Sequence, residues 1–181
     1  MNRTLEQLQT DIILAAKKGF PVLLSGAIVF LLFTFSPLVF SMKIVYLIWI
    51  LGLSVIFPFG ILLSKMMNVN ILVTNNPMGT LAGIAAAPQA FYIPIFIIVY
   101  IHIPEYLPFI IGLLCGSHFL PYMWIYKSKA YLFVTLATCI SSLILGGFFI
   151  ELAFTTVPLA ISIVYGIGIL LIFRELRNNP V

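Results

Sequence analysis

Five polar or sulfur-bearing side chains interrupt long apolar runs of this chain, Gln89, Tyr92, Cys115, His118 and Tyr122, and these residue types could do chemistry there. Polar groups in hydrocarbon cost free energy and usually have a reason to be present. A histidine has an ordinary pKa near ~6.5, so His118 could relay a proton or hydrogen-bond a ligand. The competing reading is a neutral histidine making one interhelical hydrogen bond, worth about 0.6–2 kcal/mol. Gln89 enters through spacing. A connection of only a few residues around His102 and Glu105 makes a tight antiparallel hairpin, and Gln89 and His118 stand equally far from its centre. At ~1.5 Å rise per residue both lie about 22 Å from the turn, where they could bond if their faces agree. Cys115, Tyr122 and Tyr92 complete the candidate ligand-binding group.

Catalysis needs more than these residues supply. The sequence has no H-E-x-x-H, no G-x-S-x-G and no paired aspartates within apolar runs. Cys115 and His118 share a helix, but nothing orients the imidazole for nucleophilic work. No enzyme constellation, cofactor or metal site is expected. Prolines mark the same region. Pro88, Pro94 and Pro121 remove the usual amide partners of the Ile84, Ala90 and Ser117 carbonyls, which must find another donor.

The elements that must position these groups follow from composition. Hydrophobic residues make up 62% of the 181 and charged ones 8%, too few to clothe a water-soluble fold. Spanning ~30 Å of hydrocarbon takes about 20 helical residues. Apolar runs of that kind occupy 20–40, 44–63, 77–101, 105–126, 130–151 and 156–173, so the expected fold is all-α, a polytopic transmembrane bundle of six spans. Cations give the orientation. Arg3, Lys17, Lys18, Lys65, Lys127, Lys129, Arg174 and Arg177 fall on one side and only Lys43 on the other, which places both termini in the cytoplasm. The net charge of +4 therefore reads as a topology signal, and nucleic acid is not an expected partner.

Residues 1–19 differ from the rest. Leu5, Leu8, Ile12 and Ile13 recur at helical spacing and Thr4 and Gln7 have capping-box spacing, which predicts an amphipathic helix on the cytoplasmic surface with Lys17 and Lys18 near anionic headgroups. A frayed tail is the alternative. The stretch 64–76 is too apolar for a free loop and ends Asn76-Pro77, a helix start. Residues 174–181 form a tail. Gly79 and Gly83, and again Gly112 and Gly116, have the spacing of close helix packing, within the chain or between copies in a homo-oligomer. Cys115 and Cys139 read as small packing residues, and Glu105 and Glu151 as solvated charges.

The runs Asn76-Pro77-Met78-Gly79-Thr80, His118-Phe119-Leu120-Pro121-Tyr122-Met123-Trp124 and Lys127-Ser128-Lys129-Ala130-Tyr131 resemble a family of small six-span bacterial membrane proteins with no assigned function. The resemblance implies a bacterial plasma (inner) membrane and six helices, and carries no catalytic or binding residues. Two functional expectations stand: a cavity between spans three and four that binds or passes a small or amphiphilic molecule, or an accessory or envelope-stress protein acting through helix contacts. Lipid is the expected surrounding in either case.

Overall fold

A backbone immersed in hydrocarbon must satisfy its own N–H and C=O groups, and a helix does so within one segment. The computed structural model describes residues 3–178, and these are helical almost throughout, with no strand among them. An N-terminal helix α1 (Leu5–Ala16) precedes six helical stretches that are long and apolar enough to cross a membrane. The first is α2 (Phe20–Val39), the second α3 (Met42–Met66). The third is broken into α4 (Pro77–Ala86) and α5 (Tyr92–His102), the fourth into α6 (Leu107–Ser117) and α7 (Leu120–Ile125). The fifth is α8 (Lys129–Leu143) with a π turn at Ile144–Phe148, and the sixth is α9 (Ala153–Asn178). The chain is therefore an all-α polytopic bundle. Met1, Asn2 and the last three residues of the expected tail lie outside the described residues; the tail's first five residues continue α9.

Packing divides the bundle into a centre and a fringe. α2 packs on α3 and α9, while α8 packs on α6 and α9, so Leu23, Phe30, Val134, Ile161 and Tyr165 are all buried. The third stretch is the fringe, with only 11% of its most apolar window buried within the chain. Local sequence supports the central helices in detail. Pro37 leaves the Phe33 carbonyl without its usual amide, and the Ser36 hydroxyl donates to that carbonyl at 2.7 Å. The same hydroxyl accepts from the Trp49 indole N–H at 2.9 Å, and the Trp49 ring stacks on Phe33 at 5.3 Å. One serine thus repairs a proline kink and ties α2 to α3.

The face that carries α1 and the end of α9, the terminal face, is built from connections. Thr4 and Gln7 form the capping box that starts α1. The Ile12, Ile13 and Ala16 side of α1 is buried against the rest of the protein. Four hydrogen bonds among the described residues hold it: Gln9 Nε2 donates to the Trp124 carbonyl at 3.0 Å, Asn76 Nδ2 to the Leu8 carbonyl at 2.8 Å, the Asn70 amide to the Ala15 carbonyl at 3.0 Å, and Lys127 Nζ to Glu6 Oε1 at 3.3 Å. Asn76 also accepts from the Met78 amide at 2.8 Å, which caps α4. The apolar stretch after α3 therefore folds back onto the bundle, with Val69 buried.

Candidate functional site

His118 sits where the fourth stretch changes direction. Pro121 has no amide to continue an α ladder, so Phe119 bonds the Gly116 carbonyl at 3.2 Å and Tyr122 the Phe119 carbonyl at 3.0 Å, each three residues back. The turn so formed separates α6 from α7 and aims the imidazole among aromatic rings. Its centroid lies 3.9 Å from that of Phe119 and 6.3 Å from that of Tyr122, edge-on to the latter. The ring is partly exposed; Nδ1 is buried and makes no hydrogen bond of full geometry, while the ring lies within reach of the Cys115 carbonyl one turn back.

The third stretch is interrupted in the same region. Pro88 would orphan the Ile84 carbonyl, and the chain tightens into a 3-10 segment over Ala87–Phe91 so that the Ala87 amide bonds both Gly83 and Ile84. The donor required of this proline is thus supplied by the backbone itself. Tyr122 joins the two stretches by donating its hydroxyl to the Ala82 carbonyl at 2.8 Å. Gln89 is half-buried in the 3-10 segment; among the described residues its side chain makes no hydrogen bond, and none links it to His118. Tyr92 is half-buried beside Phe96, with ring centroids 6.4 Å apart. Cys115 is a buried free thiol whose carbonyl accepts from Tyr165 at 3.4 Å.

From His118 an aromatic cluster runs to the terminal face. Phe119 meets Tyr131 at 5.8 Å and Tyr165 at 5.3 Å, while Tyr131 lies 5.7 Å from Tyr122 and 5.8 Å from Tyr126. Tyr131 ends the cluster by donating to the Lys18 carbonyl at 2.6 Å. The glycines serve different ends. A Cβ on Gly112 would strike Ser142, and one on Gly116 would lie 2.9 Å from Cys139 Sγ and 3.0 Å from Thr138 Cβ, so this pair lets α6 approach α8. Gly79 abuts the Val73 carbonyl, and Gly83 has open space before it.

Two features lie outside the residues singled out from the sequence. Lys18, expected beside lipid headgroups, is instead buried, and its ammonium meets the Glu175 carboxylate at 2.7 Å. Glu175 also accepts from Ser128 at 2.6 Å and from the Ala130 amide at 3.0 Å. Burial alone would raise the carboxyl pKa; the hydrogen bonds from Lys18, Ser128 and Ala130, with the lysine charge, outweigh it and hold the group below its ordinary value. The second feature is a file of buried hydroxyls on α8, Thr135, Thr138 and Ser142, none with a hydrogen-bond partner. Their spacing of three and four puts them on one helix face, a signal present in the sequence. Two grooves, of about 410 and 290 Å³, open at the terminal face along α8 and α9, and neither is lined by Gln89, His118 or Tyr122. Among the described residues no cluster of His, Cys, Asp and Glu could hold a metal ion.

Comparison with known proteins gives one match: residues 5–175 fit a family of unknown function (DUF7010). No curated protein and no solved structure matches the chain.

Proposed function

The chain belongs to that family, and from its own geometry we propose that it binds a small amphiphilic molecule from within the membrane, at the paired breaks in spans three and four. The observation that carries this reading is the buried Nδ1 of His118, which makes no hydrogen bond of full geometry within the protein. Leaving such a group unsatisfied in an apolar medium costs about 1–3 kcal/mol, and a ligand hydroxyl, amide or ammonium that donated to it would recover that cost. A neutral imidazole protonated on Nε2 presents Nδ1 as the acceptor. The half-buried Tyr122 offers a ring to the ligand's apolar part, and Gln89 and Tyr92 add polar atoms on the facing span. The loose packing of the third stretch supports lateral entry. The reading places the protein in a bacterial plasma membrane with both ends in the cytoplasm, supported by the imbalance of cations between the two faces.

The test is a comparison of wild type with His118→Ala. Small molecules retained through purification are identified by mass spectrometry and then titrated near neutral pH. Wild type should hold a ligand that the variant binds at least about tenfold more weakly, from the loss of one buried hydrogen bond. Equal binding by both, or a wild type that retains nothing, would remove the proposal. A second reading has its own observation: Gly83 faces open space on the least-packed span, where a partner helix or a second copy would fit. Disulfide crosslinking through Gly83→Cys in membranes, with ligand binding absent, would favour that reading.

A further inference from the structure

We infer that the groove between α8 and α9 at the terminal face is a binding site for an anionic phospholipid, with the phosphate between Lys129 and Arg174 and an acyl chain along Phe133 and Leu171. All four residues line the groove, whose volume is about 410 Å³. Their order along the helices matches the order of polarity in a lipid. Phe133 lies one turn into α8 from Lys129, and Leu171 three residues before Arg174 on α9, so each cation has an apolar side chain on its own face, one turn deeper in the membrane.

Charge selects the headgroup. Arg3, Lys18 and Lys127 each have a carboxylate partner at 3.0, 2.7 and 3.3 Å, whereas Lys129, Arg174 and Arg177 have none among the described residues. Glu175 also lines the groove, but its oxygens already serve Lys18, Ser128 and the Ala130 amide, so its charge is answered from the protein side. The open side of the groove is therefore cationic. A zwitterionic headgroup would bring its own ammonium against Lys129 and Arg174; an anionic one would not. Arg174 also borders the second groove of about 290 Å³ with Leu170, Phe173 and Arg177, which gives the same headgroup a further cation and a second apolar track.

The measurement is the thermal stability of the detergent-purified full chain titrated with phosphatidylglycerol, phosphatidylcholine or inorganic phosphate. Wild type should prefer phosphatidylglycerol to phosphatidylcholine by about 25-fold, about fivefold for each cation. In Lys129→Ala/Arg174→Ala the preference should fall to about twofold or less. No preference in wild type, or an undiminished one in the variant, overturns the site. Stabilisation by inorganic phosphate equal to that by the lipid also overturns it, because the acyl track would then contribute nothing. Should the double variant not fold, Arg174→Gln alone must lose about fivefold in preference, and an unchanged value counts against the site in the same way.

Discussion

Lys17 and Lys18 are adjacent, identical in type and opposite in fate. Three successive residues adopt left-handed backbone angles, with φ of 44°, 55° and 70° at Lys17, Lys18 and Gly19, and this short run ends α1, starts α2 and turns Lys18 inward. Only glycine accepts such angles freely; each lysine there costs about 1–2 kcal/mol, offset by what Lys18 gains inside. Gly19 has a second reason for its identity, since a Cβ would sit 3.2 Å from the Tyr126 hydroxyl. Replacing Glu175 with Gln should lower stability by about 3 kcal/mol, because it strands a buried ammonium. Lys18→Met/Glu175→Met together should cost less than either single change, a sign of coupling that thermal unfolding in detergent reads directly. The pair also predicts a pH dependence. A carboxyl held below its ordinary pKa stabilises fully above about 4.3, and that contribution is lost as pH falls through the depressed value. Wild type should therefore lose its advantage over Glu175→Gln only in acid. Residue type singled out His118 and Gln89 in the sequence because polar groups in apolar runs are conspicuous. It could not single out Lys18, whose burial depends on left-handed turns and on a partner 157 positions away.

At the scale of elements, the prolines marked carbonyls in need of another donor, whereas the runs 77–101 and 105–126 were expected unbroken. Pro88 and Pro121 do disrupt the third and fourth stretches, but the liberated Ile84 carbonyl is answered by a tightened backbone and needs neither water nor a side chain. The helix start at Asn76 and the capping box at Thr4 were legible because caps depend on residues within one turn. The burial of one side of α1 depended on contacts with Asn70, Asn76 and Trp124, which no local pattern encodes. The two glycine pairs, alike in sequence, separate in the structure. Gly116→Ala should destabilise the protein by about 1–3 kcal/mol, since Cys139 Sγ at 2.9 Å and Thr138 Cβ and Cγ2 at 3.0 Å would have to shift. Gly83→Ala meets nothing within 4 Å and should be neutral or slightly stabilising, as expected of a glycine removed from a helix interior. Unfolding midpoints of the two variants, measured side by side, check the contrast.

For the whole molecule, hydropathy alone made six helical crossings legible, because length and apolar content are properties of each segment. Which helices form the centre was not legible, since lipid-facing and protein-facing surfaces are equally apolar in such a chain. Orientation remains the whole-molecule prediction. Single cysteines at Lys43 and Lys65 should react with a membrane-impermeant maleimide from opposite sides, Lys43→Cys in intact cells and Lys65→Cys only after lysis. The reverse pattern would invert the layout.

Glu175 lies in the last helix and Lys18 at the entry to the first crossing, so the ribosome makes one long before the other. Until α9 packs on α2, the ammonium between α1 and α2 lacks the carboxylate it meets in the finished fold. Assembly therefore closes late: a nascent chain that stops short of Glu175 leaves its first crossing unlatched.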